Sequence, residues 1–285
     1  MKKKNDNRRK IISVCLFSAV AAVLFFVAAV ICFSDLSEHP FGDEKITAEA
    51  TVGEADKTES NTSKNNTEET TAEKVTEHIT ETSRINEETG RIIVNPEQEL
   101  WNLVVVNMGR EMPSGYKPEL AEILSTGIYM DKRVVPFYEQ MYLDAKKDGI
   151  ILTPYSGYRS YERQERNYKN LTETYMSDYG LSRKEAAKKA AMVILPPGTS
   201  EHNLGLAMDI CNTKDSFAFT EEYKWLTENA HKYGFILRYT EEKIDITGIV
   251  DEPWHWRYVG TEYAEDIKNS GLCLEEYLQM KGIDF

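Results

Sequence analysis

The sequence predicts an α+β domain with a mainly antiparallel sheet flanked by helices, preceded by one N-terminal transmembrane helix and a disordered linker. Three observations lead there. An uncharged apolar run follows a basic N-terminus, a polar acidic stretch follows that run, and the remaining residues mix strand and helix patterns without regular βαβ alternation.

The chain opens MKKKNDNRRK, a basic tail over residues 1–10, and runs apolar from Ile11 to Phe33 without a charge. At about 1.5 Å rise per residue, such a run crosses a ~30 Å hydrocarbon core. It is longer than the apolar part of a cleaved signal peptide, roughly 7–15 residues. Ile31 before Cys32 is not the small residue a lipoprotein anchor would need. Basic residues before the span and acidic ones after it predict a single-pass protein of the cell membrane, with a cytoplasmic N-terminus and everything else outside.

Residues 34–95 are rich in Thr, Glu, Asn and Ser with few large apolar side chains. Such a stretch cannot bury enough surface to offset its ordering entropy, and is expected to be a disordered tether. As a coil of about 60 residues its ends would lie roughly 45 Å apart. Of the net charge of −13, residues 1–33 contribute +5, residues 34–95 contribute −9, and −9 remains on residues 96–285. An acidic folded part offers no electrostatic footprint for nucleic acid. Residues 96–285 suffice for one domain with a sizeable core. Cys211 and Cys273 are its two cysteines and are expected to stay free thiols; with no C-x-x-C, cysteine-rich zinc sites are excluded.

Along that domain, WNLVVVN (101–107) reads as a β-branched strand. Val134, Val135, Phe137, Tyr138, Met141, Tyr142 and Ala145 recur at helical spacing over 132–147. GIILTPYSG (149–157) reads as a strand entering a loop, followed by helices over 160–178 and 182–193, the second opened by the capping box Ser182-x-x-Glu185. PPGTSEHN is a loop, GLAMDIC (205–211) a strand with Ala207 and Asp209 on one face, and Thr220 caps a helix that ends before Gly234. FILRY (235–239) and HWRYV (255–259) are strands, and helices close the chain.

The domain has three histidines. His231 stands near a helix end, where a cation complements the dipole, and is read as structural. His202 and His255 each have a carboxylate at short range. Seven residues separate His202 from Asp209, and within one regular strand they would face opposite ways. Gly205 between them allows a turn that lets them converge. Glu252 and His255 are three apart, with Pro253 interrupting the ladder between them. Two His and one carboxylate make up the three protein ligands of a catalytic zinc, with one carboxylate spare for general acid–base work. On spacing alone, structural histidines beside solvated acids remain the alternative.

SEHNLGLAMD matches Ser-x-His-x-x-Gly-x-Ala-x-Asp at Ser200, His202, Gly205, Ala207 and Asp209. With SGYRSYERQ (156–164) upstream and EPWHWRYVG (252–260) downstream, residues 98–280 resemble the VanY-like zinc D-alanyl-D-alanine carboxypeptidases. The resemblance implies the α+β fold shared with the hedgehog signalling domain. It implies one Zn²⁺ on His202, Asp209 and His255, with Glu252 as general base and Arg159 stabilising the oxyanion. Gln164 and Ser200 match positions that contact substrate. The implied substrate is the peptidoglycan stem peptide; D-Ala-D-Ala dipeptidase, L,D-carboxypeptidase and endopeptidase activity, and a noncatalytic wall-binding module, are the rivals. Asn203 and Leu204 stand where Gln-Thr is frequent, and Asp251 where an aromatic is frequent; these departures are expected to bear on substrate preference. Arg163, Arg166 and Lys169 read as a solvated helix face, Trp254 and Trp256 as packing, and Arg257 and Tyr258 as structural.

Overall fold

A computed structural model of the chain describes residues 84–285. The expected basic tail, the apolar span 11–33 and linker residues 34–83 lie outside the described residues. Among those described, no helix is long and apolar enough to cross a membrane.

The described chain starts with two short antiparallel strands, β1 (Arg84–Ile85) and β2 (Ile92–Ile93), the latter pairing in parallel with β3 (Arg110–Glu111). The linker expected over 34–95 therefore ends earlier than its sequence suggests. The buried Glu111 carboxylate draws these residues in: it accepts from Asn86, from the Thr89 hydroxyl at 3.1 Å and from Arg91 Nη1 at 3.1 Å. Next to it, Met112 N–H donates to the Gly198 carbonyl, so this strap abuts the loop that carries His202.

The WNLVVVN segment is not a strand. Trp101–Leu103 form a 3₁₀ turn, and Val104, Val105 and Val106 run buried without a ladder. Their backbone is satisfied differently, for Arg257 Nη2 donates to the Asn102 and Val104 carbonyls at 2.9 and 2.8 Å.

A two-stranded ladder, β4 (Leu120–Glu122) with β5 (Tyr129–Asp131), leads to helix α1 (Val135–Lys147). Val135, Tyr138, Met141 and Ala145 form its buried stripe, as their helical spacing requires. After β6 (Pro154–Ser156), Ser160 caps α2 (Tyr161–Tyr179), which packs on α3 (Arg183–Ala190). The Ser182–Glu185 capping box is present. β7 (Ala207–Ile210), α4 (Glu221–Asn229) with its Thr220 cap, β8 (Phe235–Leu237), the short α5 (Ile244–Thr247), β9 (His255–Tyr258), α6 (Thr261–Ser270) and α7 (Leu274–Lys281) complete the order. Cys211 and Cys273 are free.

The principal sheet runs β6–β7–β9–β8, antiparallel at every step. Alternation along its strands divides the side chains between two environments. Met208, Ile210, Trp256 and Tyr258 enter the main core with Met130, Tyr138, Met141 and Phe235. Ala207, Asp209, His255 and Arg257 share the opposite face, and Ile236 and Val259 continue it into a second core under α6 and α7.

Deleting the strap should be costly, because a largely buried Glu111 would lose its partners, at about 1–3 kcal/mol. A chain beginning at residue 96 is expected to melt several degrees below one beginning at 84; equal melting temperatures would show that the strap contributes nothing.

Candidate active site

His202 sits on the turn between the Pro/Gly loop and β7. Gly205 makes that turn with φ +70°, and a Cβ there would lie 2.7 Å from the Asp131 amide nitrogen, so the position requires glycine on two counts. The buried imidazole hydrogen-bonds the Gly157 carbonyl through Nδ1 at 2.7 Å. A carbonyl only accepts, so Nδ1 carries the proton and Nε2 presents its lone pair. Nε2 lies 3.3 Å from Asp209 Oδ1.

Asp209 and His255 are directly opposite one another in the β7–β9 register. His255 Nδ1 is likewise 3.3 Å from Asp209 Oδ1, while its Nε2 is 3.2 Å from Glu201 Oε2. The turn at Pro253 brings Glu252 Oε2 to 3.6 Å from the same Nδ1. His202, Asp209 and His255 each offer one ligand atom, all within 4.8 Å of one another. Asp209 Oδ1 is buried without any hydrogen-bond partner. Buried carboxylate oxygens are rarely left so, and such an orphan calls for an explanation. A tetrahedral ion with bonds of about 2.0–2.1 Å has ligand–ligand edges of roughly 3.3 Å, the spacing of this oxygen from both nitrogens. The donor set fits zinc.

Charge is arranged for the same purpose. Burial, with Arg159 adding to it, lowers the His202 pKa to about 4, so this ring is neutral at pH 7. Burial works against ionised Asp209, but His202 and Arg159 outweigh it and hold the carboxyl well below the usual range. Burial also disfavours charged His255; the Asp209 and Glu201 carboxylates beside it overcome this and raise it to about 9. Glu252 goes the other way from Asp209. Burial pushes it up to about 8 and the Asp209 charge adds to that, opposed by His255 and Arg159. Two carboxyls in one pocket thus divide into a permanent anion and a proton carrier.

Arg159 reaches the site from the β6–α2 connection, with Nη2 on Asp209 Oδ2 at 2.6 Å and Nε on Ser156 Oγ at 3.0 Å. The structure therefore gathers His202, Asp209, His255, Glu252 and Arg159 around one point. Gln164 is buried, its Nε2 donating to the Leu195 carbonyl at 2.7 Å and its Oε1 without a partner. Ser200 is buried beside the ligand, its Oγ 3.4 Å from the His202 N–H. Asn203 and Leu204 are fully buried, and the Asn203 side chain joins the Gly198 amide to the Arg159 carbonyl. Their departure from the family pattern is thus met by packing inside the protein. Asp251 is exposed beside Glu252.

Reading the sequence missed a cluster of buried charges behind His255: Glu201, Arg238, Arg257 and Glu275. Arg257 lies two residues beyond His255 on the same sheet face, a signal available from strand alternation. Glu201 stands inside the ligand motif at an unconstrained position, and nothing in the sequence marks Glu275.

Residues 127–261 match the VanY family model, described as D-alanyl-D-alanine carboxypeptidase. An Enterococcus faecalis protein named D-alanyl-D-alanine carboxypeptidase is 42% identical over 182 residues, which cover 64% of this chain and 67% of that protein. The chain belongs to the VanY family. A vancomycin-resistance D,D-pentapeptidase VanY, solved in complex with Zn(II), aligns with TM-score 0.56 at 42% identity, covering 62% of this chain and 99% of that one. The LdcB LD-carboxypeptidase aligns with TM-score 0.59 at 34% identity, covering 69% and 94%. Like this VanY-family chain, both neighbours mix helices and sheet.

Metal binding to this site should displace protons. A His255 that is charged below about 9 must give up its Nδ1 proton to a cation, whose charge also opposes the proton that burial favours on Glu252. Calorimetry in buffers of different ionisation enthalpy should find at least one proton released per zinc at pH 7, with affinity rising about tenfold per pH unit for each proton released. Release of none would contradict these charge states.

Proposed function

We propose that the domain is a zinc-dependent D-alanyl-D-alanine carboxypeptidase that removes the C-terminal D-alanine from peptidoglycan stem peptides. The observation that carries this reading is the orphaned Asp209 Oδ1, placed 3.3 Å from one nitrogen of each imidazole, with the Glu252 carboxyl alongside. His202 through Nε2, Asp209 through Oδ1 and His255 through Nδ1 would hold the ion. When bound, zinc supplies Lewis-acid activation of water and of the scissile carbonyl.

Glu252 takes one proton from the attacking water as the new carbon–oxygen bond forms. It returns that proton to the departing amine as the peptide C–N bond breaks, so one D-alanine and a shortened peptide result. A carboxyl whose affinity for protons is raised by burial suits both halves of the cycle near neutral pH. Arg159 is anchored through Nε and Nη2, and its Nη1 makes no hydrogen bond among the described residues. That nitrogen is available to the oxygen that becomes negative, a contribution typically worth about 2.7–4 kcal/mol. Gln164 Oε1, buried without a partner, and Ser200 Oγ, beside His202, are the proposed substrate-contacting polar atoms. The likeness to VanY-type structures supports the hedgehog-type arrangement of the fold.

The location rests on sequence: the span 11–33 would anchor the chain and the polar linker would let the domain search a wall outside the membrane. Trimming of a tetrapeptide is the second reading, favoured by the likeness to LdcB.

Purified full chain should release D-alanine from a D-Ala-D-Ala-ending pentapeptide. Chelation should abolish this, added zinc restore it, and Glu252→Ala slow it by about 10²–10⁴-fold. Faster release from a tetrapeptide would assign the L,D-activity instead, and zinc-loaded protein inert on both would refute the proposal.

A further inference from the structure

Glu201 precedes His202 in sequence and is almost wholly buried against His255, and the catalytic cycle above makes no use of it. Its surroundings leave its carboxylate one orientation. Oε1 accepts from Arg238 Nε at 2.7 Å and from Arg257 Nη1 at 2.8 Å. Oε2 faces only His255 Nε2, at 3.2 Å. Each arginine is immobilised in turn. Glu275 grips Arg238 as a fork, at 2.9 Å on Nη1 and 2.6 Å on Nη2. Arg257 is committed through Nε to the Tyr258 carbonyl at 2.8 Å, and through Nη2 to the Asn102 and Val104 carbonyls. All three nitrogens of both guanidinium groups are occupied.

We propose that Glu201 is a positioning residue: clamped by Arg238 and Arg257, it accepts the Nε2 proton of His255 and thereby turns the Nδ1 lone pair toward the metal. The two histidines then use opposite nitrogens for opposite purposes. His202 donates from Nδ1 to a neutral carbonyl and presents Nε2, whereas His255 donates from Nε2 to a carboxylate and presents Nδ1. A carboxylate acceptor both fixes the ring and raises its basicity as a ligand, and losing such a partner typically costs 10–100-fold in metal affinity. Glu201 and Glu275 balance Arg238 and Arg257, so the clamp adds no net charge behind the site.

The inference rests on the zinc reading of the site. Its test compares full-length parent, Glu201→Gln and Glu275→Gln. Zinc dissociation constants come from chelator competition, ligand geometry from the visible spectrum of the cobalt-substituted proteins, and stability from melting temperature. In Glu201→Gln the amide oxygen can still accept from the arginines, while the amide N–H₂ meets His255 Nε2 and favours the wrong tautomer. Its zinc affinity should fall about 10–100-fold, with an altered cobalt spectrum. Glu275→Gln disturbs the same cluster one arginine further away; it should melt lower yet keep parental zinc affinity and cobalt spectrum. Equal zinc affinity of Glu201→Gln and parent, or equal loss in both variants, would overturn the proposal. A parent that binds no zinc would instead overturn the functional reading, and this inference with it. Should Glu201→Gln fail to fold, nitrogen-15 NMR of zinc-loaded parent still decides: a His255 proton on Nε2 supports the proposal, and one on Nδ1 refutes it.

Discussion

The site depends on one backbone relationship, the antiparallel register that sets Asp209 opposite His255. Side chains alternate along a strand, so a slip of one residue would turn either ligand to the apolar face and bring Met208 or Trp256 in its place. The register is held from the other side of the sheet. Met208, Ile210, Trp256 and Tyr258 are bound into the main core, and shifting the strands would expose them. Hydrophobic packing on one face thus specifies the geometry of charged groups on the other. His202 completes the set from a loop, which needs the left-handed Gly205 and the closeness of Gly205 to Asp131 to return the chain to β7 at the right point.

Burying so many ionisable groups would be prohibitive if each were judged alone. They persist because nearly every one has a partner of opposite charge or an aligned hydrogen bond. Glu201 meets two arginines, Glu275 meets one of them, and Asp209 has Arg159 on Oδ2. The exceptions lie where chemistry is expected: Asp209 Oδ1 without a donor, and a Glu252 that burial drives toward its neutral form. Function is concentrated at the points where the compensation is incomplete.

Much of this could be read from the residues. The helical stripe of α1, the Ser182–Glu185 box and the strands around Asp209 and His255 announce themselves through local spacing, and Gly205 and Pro253 mark the breaks that let the ligands converge. What escaped was non-local. WNLVVVN has a strand's side chains, but its backbone is satisfied by Arg257, some 155 residues away, and side-chain periodicity says nothing about a backbone's partner. The strap over 84–95 is polar and looks unstructured, since its reason for order is Glu111. Glu201 gains its meaning from residues 238, 257 and 275, which only the fold brings together.

Arg257 also bears on how the molecule comes into being. It joins Asn102 and Val104 to β9, and Asn102 Nδ2 donates in return to the Val259 carbonyl, closing a loop of more than 150 residues. Contacts of such separation form late, because the entropy of closing the chain must be met before they can contribute. A growing chain therefore has no metal site until almost all of the domain has been made. His202 and Asp209 wait for the strand that brings their third companion, and the same arginine that supports this strand seals the beginning of the domain to its end.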